Sequence, residues 1–401
     1  MSKRTLADLS ADALAGRRVL VRVDYNVPLD GSVVTDDTRI TATLPTLRYL
    51  LDGGAAVILV SHLGRPKGKR RPELSLAPVA RRLGELLDRP VRFVEDTFGE
   101  VAKAAAAEAR PGSVILLENV RFDPGEEADD PALGAVLAAL AEVYVNDAFG
   151  TAHRAHASTS AAPLAMRAAG RPAVAGFLME RELRFLGQAL QHPRRPFVAI
   201  LGGAKISGKI DVVEALLPRV EALLIGGAMA NTFFRAMGLE TGTSLVEPDR
   251  LDMAADLMRR AGDRLDLPID CIAALEPEPG SPARVCSRDA VTADRTILDI
   301  GPATIAHFQQ RILGAGTVLW NGPMGLFEID DFSAGTLAIA RAVAEATARG
   351  AVTVAGGGDT AAALEKAGLA ATLSHVSTGG GASLEFLEGR VLPGVAVLDE
   401  A

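Results

Sequence analysis

Short apolar runs alternate with longer stretches of helical periodicity along almost the whole chain. The runs predict strands at 18–24, 55–61, 91–95, 113–118 and 142–147 in the first half, and at 197–203, 221–227, 266–275, 317–322 and 351–358 in the second. Amphipathic stretches such as 76–87 and 130–141 lie between them and predict helices. Strands that alternate with helices are typical of βαβ units, so we expect parallel sheets covered by helices.

The length of 401 residues exceeds what one ordinary hydrophobic core accommodates, so we expect two domains. The predicted fold class is α/β, with two Rossmann-like three-layer domains that each contain a parallel sheet. Helical spacing over 177–191, ended by the proline-containing stretch QHPRRP, predicts one helix between the domains, a position that suits a hinge. The predicted boundaries are 1–172 for an N-terminal domain, 173–191 for the connector and hinge helix, 192–389 for a C-terminal domain, and 390–401 for a tail.

Composition excludes several classes of protein. The chain has 48% hydrophobic and 23% charged residues and no apolar run long enough to span a bilayer, so we expect no membrane association. The N-terminal stretch has no apolar signal-peptide core and keeps Asp8 and Asp12, so we expect a cytoplasmic protein. The net charge of −8 argues against a nucleic-acid partner. Cys271 and Cys286 match no zinc spacing, and in a reducing compartment we expect two ordinary thiols.

Arginines follow the predicted strands of the first half, beside Asp, Asn and His residues. The arginines are Arg39, Arg65, Arg121 and Arg154, and their polar neighbours include Asp24, Asn26 and His62. Guanidinium groups bind phosphate and carboxylate groups bidentately, so four of them at strand ends favour a pocket for a small multiply charged anion. Asp24 and Asn26 would accept hydrogen bonds from a ligand hydroxyl. Any one arginine alone would more often be a solvated surface residue.

The pair His153 and His156 has the HxxH spacing of some metal sites. No third ligand cluster lies near it in the sequence, so contact with phosphate or local hydrogen bonding is the preferred interpretation.

The second half carries glycine-rich turns after its strands. The stretch 203–209 reads GxxxxGK, but Ile210 follows where a P-loop has the Ser or Thr that holds Mg²⁺. A glycine-rich turn with Lys205 and Lys209 still suits a polyphosphate, although a tight turn with exposed lysines is an equal alternative. Asp359, in the turn GGGDT, is the best Mg²⁺ ligand candidate, and Glu328 is a candidate acceptor for a ribose hydroxyl. Glycines at these turns would let main-chain N–H groups face phosphates.

Several long motifs occur in one order from residue 22 to 389. They are RVDYNVP, DDTRI, SHLGRP, LLENVRF, NDAFGTAHRAHAS, LGGAK, GGAMANTF, LDIGP, WNGPMGLFE, VAGGGDT and STGGGASLEFLEG. The chain therefore resembles the phosphoglycerate kinase family. The segment 276–297, which borders the adenine pocket in the family, departs from the family pattern, and Tyr25 stands where the family usually has Phe.

The resemblance implies a reaction and its participants. It implies reversible Mg²⁺-dependent phosphoryl transfer from 1,3-bisphosphoglycerate to ADP, giving 3-phosphoglycerate and ATP, in a cleft between the domains after hinge closure. It implies a monomer and a tail, 390–401, that returns to the N-terminal domain. Phosphoryl transfer of this kind needs no general base, because both possible nucleophiles are already anionic, so catalysis would consist of positioning and charge neutralisation.

The resemblance also implies residue roles. The phosphoglycerate ligands would be Asp24, Asn26, Arg39, His62, Arg65, Arg121 and Arg154, and the nucleotide ligands would be Lys205, Lys209, Glu328, Gly357, Gly358, Asp359 and Thr360. Arg39 and Lys205 would contact the transferring group, Asp359 would hold Mg²⁺, and Gly379 and Gly380 would present N–H groups at a helix start. Two rival functions stay open: a P-loop ATPase that uses 203–210, and a hinged protein that binds a small anion. Nucleotide-dependent turnover would separate the three.

Overall fold

The computed structural model describes residues 3–401, which divide into two compact units. The first comprises the chain up to Leu183 together with Val391–Ala401, and the second comprises Arg184–Arg390. Among the described residues, no helix is long and apolar enough to cross a membrane.

The first unit contains a parallel sheet with helices. Its strands are β1 (Arg18–Val23), β2 (Leu29–Asp30), β3 (Val33–Val34), β4 (Ala56–Val60), β5 (Val91–Val94), β6 (Val114–Leu117), β7 (Val143–Asp147) and β8 (Ala173–Ala175). Its helices are α1 (Thr38–Asp52), α2 (Ala77–Leu87), α3 (Glu100–Glu108), α4 (Pro124–Glu127), α5 (Pro131–Ala139), α6 (Ala162–Ala168) and the start of α7 (Phe177–Gln191). Within the described residues the sheet order is β5-β6-β4-β1-β7-β8, with every pair parallel. Strands β4 and β7 are buried at every position, as expected for strands covered on both faces.

The second unit repeats this architecture. Its strands are β9 (Phe197–Leu201), β10 (Ala222–Ile225), β11 (Leu265–Asp266), β12 (Asp270–Ala274), β13 (Ala283–Ser287), β14 (Thr296–Ile300), β15 (Thr317–Asn321), β16 (Val352–Gly356) and β17 (His375–Val376). Its helices are α8 (Ile210–Leu216), α9 (Met229–Ala236), α10 (Leu251–Ala261), α11 (Pro302–Leu313), α12 (Ala334–Ala348), α13 (Gly358–Lys366) and α14 (Gly381–Leu387). In the described chain the main sheet is parallel, with the order β11-β10-β9-β15-β16-β17.

The last residues of the chain pack in the first unit. They include α15 (Pro393–Ala396), where Gly394 O accepts a hydrogen bond of 2.9 Å from Asn146 Nδ2. Asp399 N donates to Ala173 O at 2.9 Å or less, and Lys3 Nζ donates to Leu398 O at 3.0 Å. These contacts attach both ends of the described chain to the same sheet.

Two predicted segments differ from the structure. The segment 266–275 is wrong as one strand: it is interrupted around Pro268, and β12 leaves the parallel sheet to join the antiparallel sheet β13-β12-β14. An apolar run indicates a strand but not the sheet to which the strand belongs. The start of the predicted connector 173–191 contains β8 at the edge of the first sheet.

The helix predicted over 177–191 is confirmed as α7. Its start is anchored to the first unit, because Leu178 N donates to Asp147 Oδ1 at 2.9 Å and Phe177 N donates to Thr46 Oγ1 at 2.9 Å. Asp147 is fully buried, and burial raises its pKa to about 6.

Candidate active site

The carboxyl end of β1 begins a polar cluster in the first unit. Asp24 follows β1, and its Oδ2 accepts a hydrogen bond of 2.9 Å from Arg39 Nη1 on the first turn of α1. Its Oδ1 accepts from Asn26 N at 3.3 Å. Because Asp24 is largely buried while the Arg39 side chain is 36% exposed, the ion pair fixes the guanidinium at the edge of the cluster, where a ligand can reach it.

The loop after β4 joins this cluster through Gly64. Gly64 N donates to Asn26 Oδ1 at 2.8 Å, and Gly64 O accepts from Arg121 Nη1 at 2.9 Å. The next residue, Arg65, is exposed, and within residues 3–401 its side chain shows no hydrogen bond or ion pair. The loop is therefore held from two sides while its arginine stays available for a ligand.

His62 and Arg22 lie in the interior of the cluster. Arg22 is fully buried, and its Nη2 lies 3.4 Å from His62 Nδ1. Burial, and then repulsion by Arg22, Arg121 and Arg39, hold the pKa of His62 well below its usual range, so the imidazole is neutral near pH 7. A neutral imidazole can still donate one hydrogen bond to an anion.

Two further basic groups of the cluster, Arg121 and His156, also have lowered pKa values. Burial, followed by repulsion from Arg22, lowers the pKa of Arg121 to about 10. Burial and then Arg121, Arg22 and Arg154 lower the pKa of His156 to about 4. Groups whose charged forms are disfavoured by like charges form a site that a bound anion would stabilise. The cluster therefore has the electrostatics of an anion pocket.

Arg22, Glu126 and Ser158 were not among the predicted site residues. Ser158 Oγ accepts from Arg22 Nε at 2.7 Å and donates to Glu126 Oε1 at 2.6 Å, and Glu126 is fully buried. A charged residue inside the apolar run 18–24 was a usable signal for Arg22. Glu126 gave none, because the acidic, proline-containing stretch 123–130 reads as a surface loop.

The HxxH pair does not assemble a metal site in the structure. Arg154 Nε donates to His153 Nε2 at 3.1 Å, and His156 Nδ1 lies 3.9 Å from Glu126 Oε1. Across residues 3–401, no group of three or more His, Cys, Asp or Glu side chains is arranged to hold a metal ion.

The glycine-rich turns of the second unit pack against one another. Gly203 N donates to Pro323 O, and Gly227 N donates to Met324 O, both at 2.9 Å. A Cβ atom on Gly227, where φ is +66°, would lie 2.5 Å from Gly203 N, so only glycine fits. The prediction that these N–H groups face phosphates is therefore wrong for Gly203 and Gly227, because each N–H donates its hydrogen bond to a carbonyl of a neighbouring turn.

The two lysines of this region have different surroundings. Lys209 Nζ donates to Gly202 O at 2.6 Å and to Asn321 O at 2.8 Å. Burial lowers its pKa to about 8, and the carboxylate of Asp359 opposes that shift. Lys205 is exposed and shows no hydrogen bond to any described residue. Lys209 is thus fixed beside the glycine turns, and Lys205 is free to meet a ligand.

A pocket of about 310 Å³ lies next to these turns, within the second unit. Its wall includes Gly203, Gly227, Thr296–Ile300 of β14, Glu328 and Asp359. Glu328 and Asp359 are both exposed carboxylates at its edge. The size and the mixture of apolar wall with a few polar groups are typical of a small-molecule site.

The turn after β16 contains both exposed and buried residues. Gly357, with φ +92°, precedes α13, and Gly358 and Asp359 form the exposed first turn of that helix. Thr360 is buried, and its Oγ1 accepts from Gly322 N at 2.7 Å, which joins two strand exits. Gly379 N donates to Ser377 Oγ at 3.1 Å, and Gly380 precedes α14.

The residues present fit Mg²⁺ bound together with a nucleotide. Mg²⁺ is usually held by one or two carboxylates plus substrate phosphates and water, rather than by an all-protein cage. Asp359 supplies one exposed carboxylate on the wall of the pocket, close enough to Lys209 to oppose the lowering of the lysine's pKa by burial.

One α/β unit has a cluster of basic side chains at its strand ends, suited to an anion. The other has a lysine-glycine turn beside a pocket. Together these are the features of a nucleotide-dependent phosphotransferase. The sequence profile of the phosphoglycerate kinase family matches residues 7–390. The chain therefore belongs to the phosphoglycerate kinase family, and the predicted family, fold class and enzyme class are confirmed.

Individual relatives agree with this assignment. The chain is 57% identical to the phosphoglycerate kinase of Chloroflexus aurantiacus over 407 residues and 55% identical to that of Chlorobium luteolum over 403 residues, with all of each chain covered. The solved phosphoglycerate kinase of Coxiella burnetii superposes with a TM-score of 0.88 at 42% identity, covering 98% of both chains. That of Pyrococcus horikoshii gives 0.84 at 31% identity, again with 98% of both chains covered.

Proposed function

We propose that the first unit binds phosphoglycerate and the second unit binds Mg-ADP or Mg-ATP, and that the phosphoryl group passes between them without a general base. The observation that carries this proposal is the group of buried basic side chains at the strand ends of the first unit, where Arg22 Nη2 lies 3.4 Å from His62 Nδ1 and Arg121 Nη1 donates to Gly64 O. Burial, and then repulsion between these groups, lowers the pKa of Arg121 and of His156. Such a set is stabilised by a ligand with several negative charges, and 3-phosphoglycerate carries both a phosphate and a carboxylate.

On the phosphoglycerate side, we assign anion binding to Arg65, Arg121, Arg154 and His62. The exposed Arg65 would close over the ligand, while Arg121, fixed to Gly64 O, would form the floor of the pocket. Asp24 and Asn26 would orient the ligand hydroxyl, because their oxygen atoms are the acceptors at this end of the sheet.

On the nucleotide side, we assign phosphate binding to Lys209 and the Gly357–Thr360 turn, and ribose binding to Glu328. Thr360 would hold the turn in place for the nucleotide and not bind it through its hydroxyl, because that hydroxyl accepts a hydrogen bond from Gly322 N. Mg²⁺ held by Asp359 would neutralise charge on the nucleotide phosphates when bound. The P-loop alternative is disfavoured because Ile210 offers no hydroxyl and Lys209 Nζ contacts main-chain carbonyls.

The transfer itself would depend on charge neutralisation of the moving group. We assign this task to the half-buried Arg39 and the exposed Lys205. Gly379 and Gly380 are assigned to the same group through their main-chain N–H atoms, and Gly379 N, which donates to Ser377 Oγ, would have to change partner. We also propose that a bending movement about α7 brings the two substrates together and excludes water from the acyl phosphate. The family resemblance supports a cytoplasmic location and a monomer. Size-exclusion chromatography tests the monomer.

A coupled assay tests the function. The protein is given 3-phosphoglycerate and Mg-ATP, and the 1,3-bisphosphoglycerate formed is followed through NADH oxidation by glyceraldehyde-3-phosphate dehydrogenase. We expect turnover that depends on both substrates and stops when Mg²⁺ is chelated. No turnover with ATP or any other nucleoside triphosphate, from folded protein, would leave the anion-binding alternative in place.

A further inference from the structure

The only two cysteines of the chain lie directly opposite each other on neighbouring strands. Cys271 of β12 pairs with Cys286 of β13 in the antiparallel register, and the two Sγ atoms are 3.7 Å apart. Both are free thiols. Directly paired antiparallel residues have Cα atoms about 4.5–5.5 Å apart, which lies within the range that a disulfide spans. A disulfide therefore needs side-chain rotation and a small strand movement, not a refolded backbone.

The two thiols differ in access. Cys286 is half-buried on β13, an edge strand whose other residues are exposed. Cys271 is buried, and burial together with the neighbouring Cys286 raises the pKa of its thiol. Because the thiolate is the attacking form, the first reaction with an external oxidant falls to Cys286.

Cys271 also belongs to the wall of the pocket assigned to the nucleotide. It lines that pocket together with Pro268 and Thr296–Ile300 of β14, the strand on the other side of β12. Cys286 lies in the segment 276–297, where the sequence departs from the family pattern. The pair thus connects an exposed edge strand to the pocket wall.

We propose that Cys271 and Cys286 form a reversible disulfide with a small-molecule disulfide as oxidant, and that this disulfide weakens nucleotide binding. The first part is independent of the proposed function, and the second part rests on it. Rotation of the Cys271 sulfur toward Cys286, with the small strand movement that accompanies it, would change the shape of the pocket wall beside β14.

The reaction balances as two thiol–disulfide exchanges. The Cys286 thiolate attacks one sulfur of oxidised glutathione, forming a mixed disulfide and releasing one molecule of glutathione as the thiol. Cys271 then loses its proton and attacks the Cys286 sulfur, which forms the internal disulfide and releases the second glutathione. The protein is oxidised by two electrons, and the oxidant is reduced to two thiols.

Thiol counting tests the first part. The native protein is equilibrated with excess oxidised glutathione, quenched with acid, and its thiols are counted after denaturation, with intact mass measured in parallel. We expect the thiol count to fall from two to zero with a mass loss of two hydrogens, and dithiothreitol to restore both thiols. Two surviving thiols, or a stable glutathione adduct on Cys286, would overturn the proposal.

Nucleotide binding tests the second part. We expect a several-fold rise in the Kd for ADP in the oxidised protein, no change in the Kd for 3-phosphoglycerate, and recovery after reduction. Cys286→Ser is the matched control, since it keeps the buried Cys271 and should bind ADP equally before and after exposure to the oxidant. Equal ADP affinity in both states of the natural protein would refute the coupling. Failure of ADP to bind either state would refute the nucleotide assignment instead, and the thiol result would stand apart from it.

Discussion

Arg22 and Glu126, both fully buried, are bridged by one hydroxyl group in the interior of the first unit. Ser158 Oγ lies 2.7 Å from Arg22 Nε and 2.6 Å from Glu126 Oε1, and Ser158 N donates to Glu126 Oε2 at 2.8 Å. Glu126 is therefore a buried counter-charge for Arg22, reached through Ser158; burial raises the pKa of its carboxyl, and the charge of Arg22 opposes that shift.

Loss of that counter-charge should destabilise the protein. Glu126→Gln removes the negative charge that Arg22 reaches through Ser158 and weakens the two hydrogen bonds that Ser158 donates to it, which should cost about 1–3 kcal/mol. Glu142→Gln is the control, because Glu142 and its partner Arg18 are about one-third exposed and the ion pair should contribute about 1 kcal/mol or less. Urea unfolding measures both variants, and equal losses would show that Arg22 does not need Glu126.

The two lysines of the second unit should separate stability from turnover. Lys209→Met removes hydrogen bonds to Gly202 O and Asn321 O, so it should lower the free energy of unfolding by about 1–3 kcal/mol and weaken ADP binding. Lys205→Met alters an exposed side chain, so stability should change by no more than about 0.5 kcal/mol while turnover falls by orders of magnitude. Unfolding curves and the coupled assay on both variants check this. Normal turnover in Lys205→Met would remove Lys205 from the mechanism.

Phosphoglycerate binding should take up protons through His156. Neighbouring arginines and burial hold its pKa at about 4 in the free protein, and a bound anion favours the charged imidazolium, so binding raises that pKa. Between the free and bound values, binding takes up protons and the affinity increases as pH falls. Calorimetry at pH 5.5 in buffers of different ionisation enthalpy counts the protons taken up. His156→Asn controls for protonation of the ligand itself, and an unchanged proton count in this variant would contradict the assignment.

Asp147 should make stability fall as pH rises. Its folded pKa of about 6 is above that of an unfolded aspartate, so its contribution is present below about pH 4 and is lost as pH rises through 6. Asp147→Asn keeps an acceptor for Leu178 N and carries no charge. The free energy of unfolding of Asp147→Asn minus that of the natural protein should therefore be larger at pH 8 than at pH 4.5, by at most about 3 kcal/mol. Urea unfolding at the two pH values measures this difference, and a pH-independent difference would contradict it.

Sequence reasoning reached most of the fold because apolar periodicity reports burial directly. It predicted the helix over 177–191 and most strands of both parallel sheets, although not β17. It failed at 266–275, because a short apolar run contains no information about the sheet that its strand joins. It also missed β8, whose three residues are too few to show a period.

Sequence reasoning proposed site residues where charged side chains follow strands, and the structure leaves two of them, Arg65 and Asp359, exposed. The same reasoning does not show which polar groups are used inside the protein. Thr360 was expected at the nucleotide, but its hydroxyl is used by Gly322 N. Glu126 looked like a surface residue, and only the folded chain shows its burial beside Ser158.

The kinetic comparison of Arg39→Ala with Arg65→Ala in the coupled assay tests the proposed mechanism most directly. Each substitution removes one arginine charge from the same cluster, although Arg39 is half-buried and paired with Asp24 while Arg65 is exposed. We predict that Arg39→Ala lowers kcat by roughly 10²-fold or more with little change in the Kd for 3-phosphoglycerate, since its interaction is with the transferring group. Arg65→Ala should mainly raise KM. An unchanged kcat in Arg39→Ala would contradict the assignment of Arg39 to the transferring phosphoryl group.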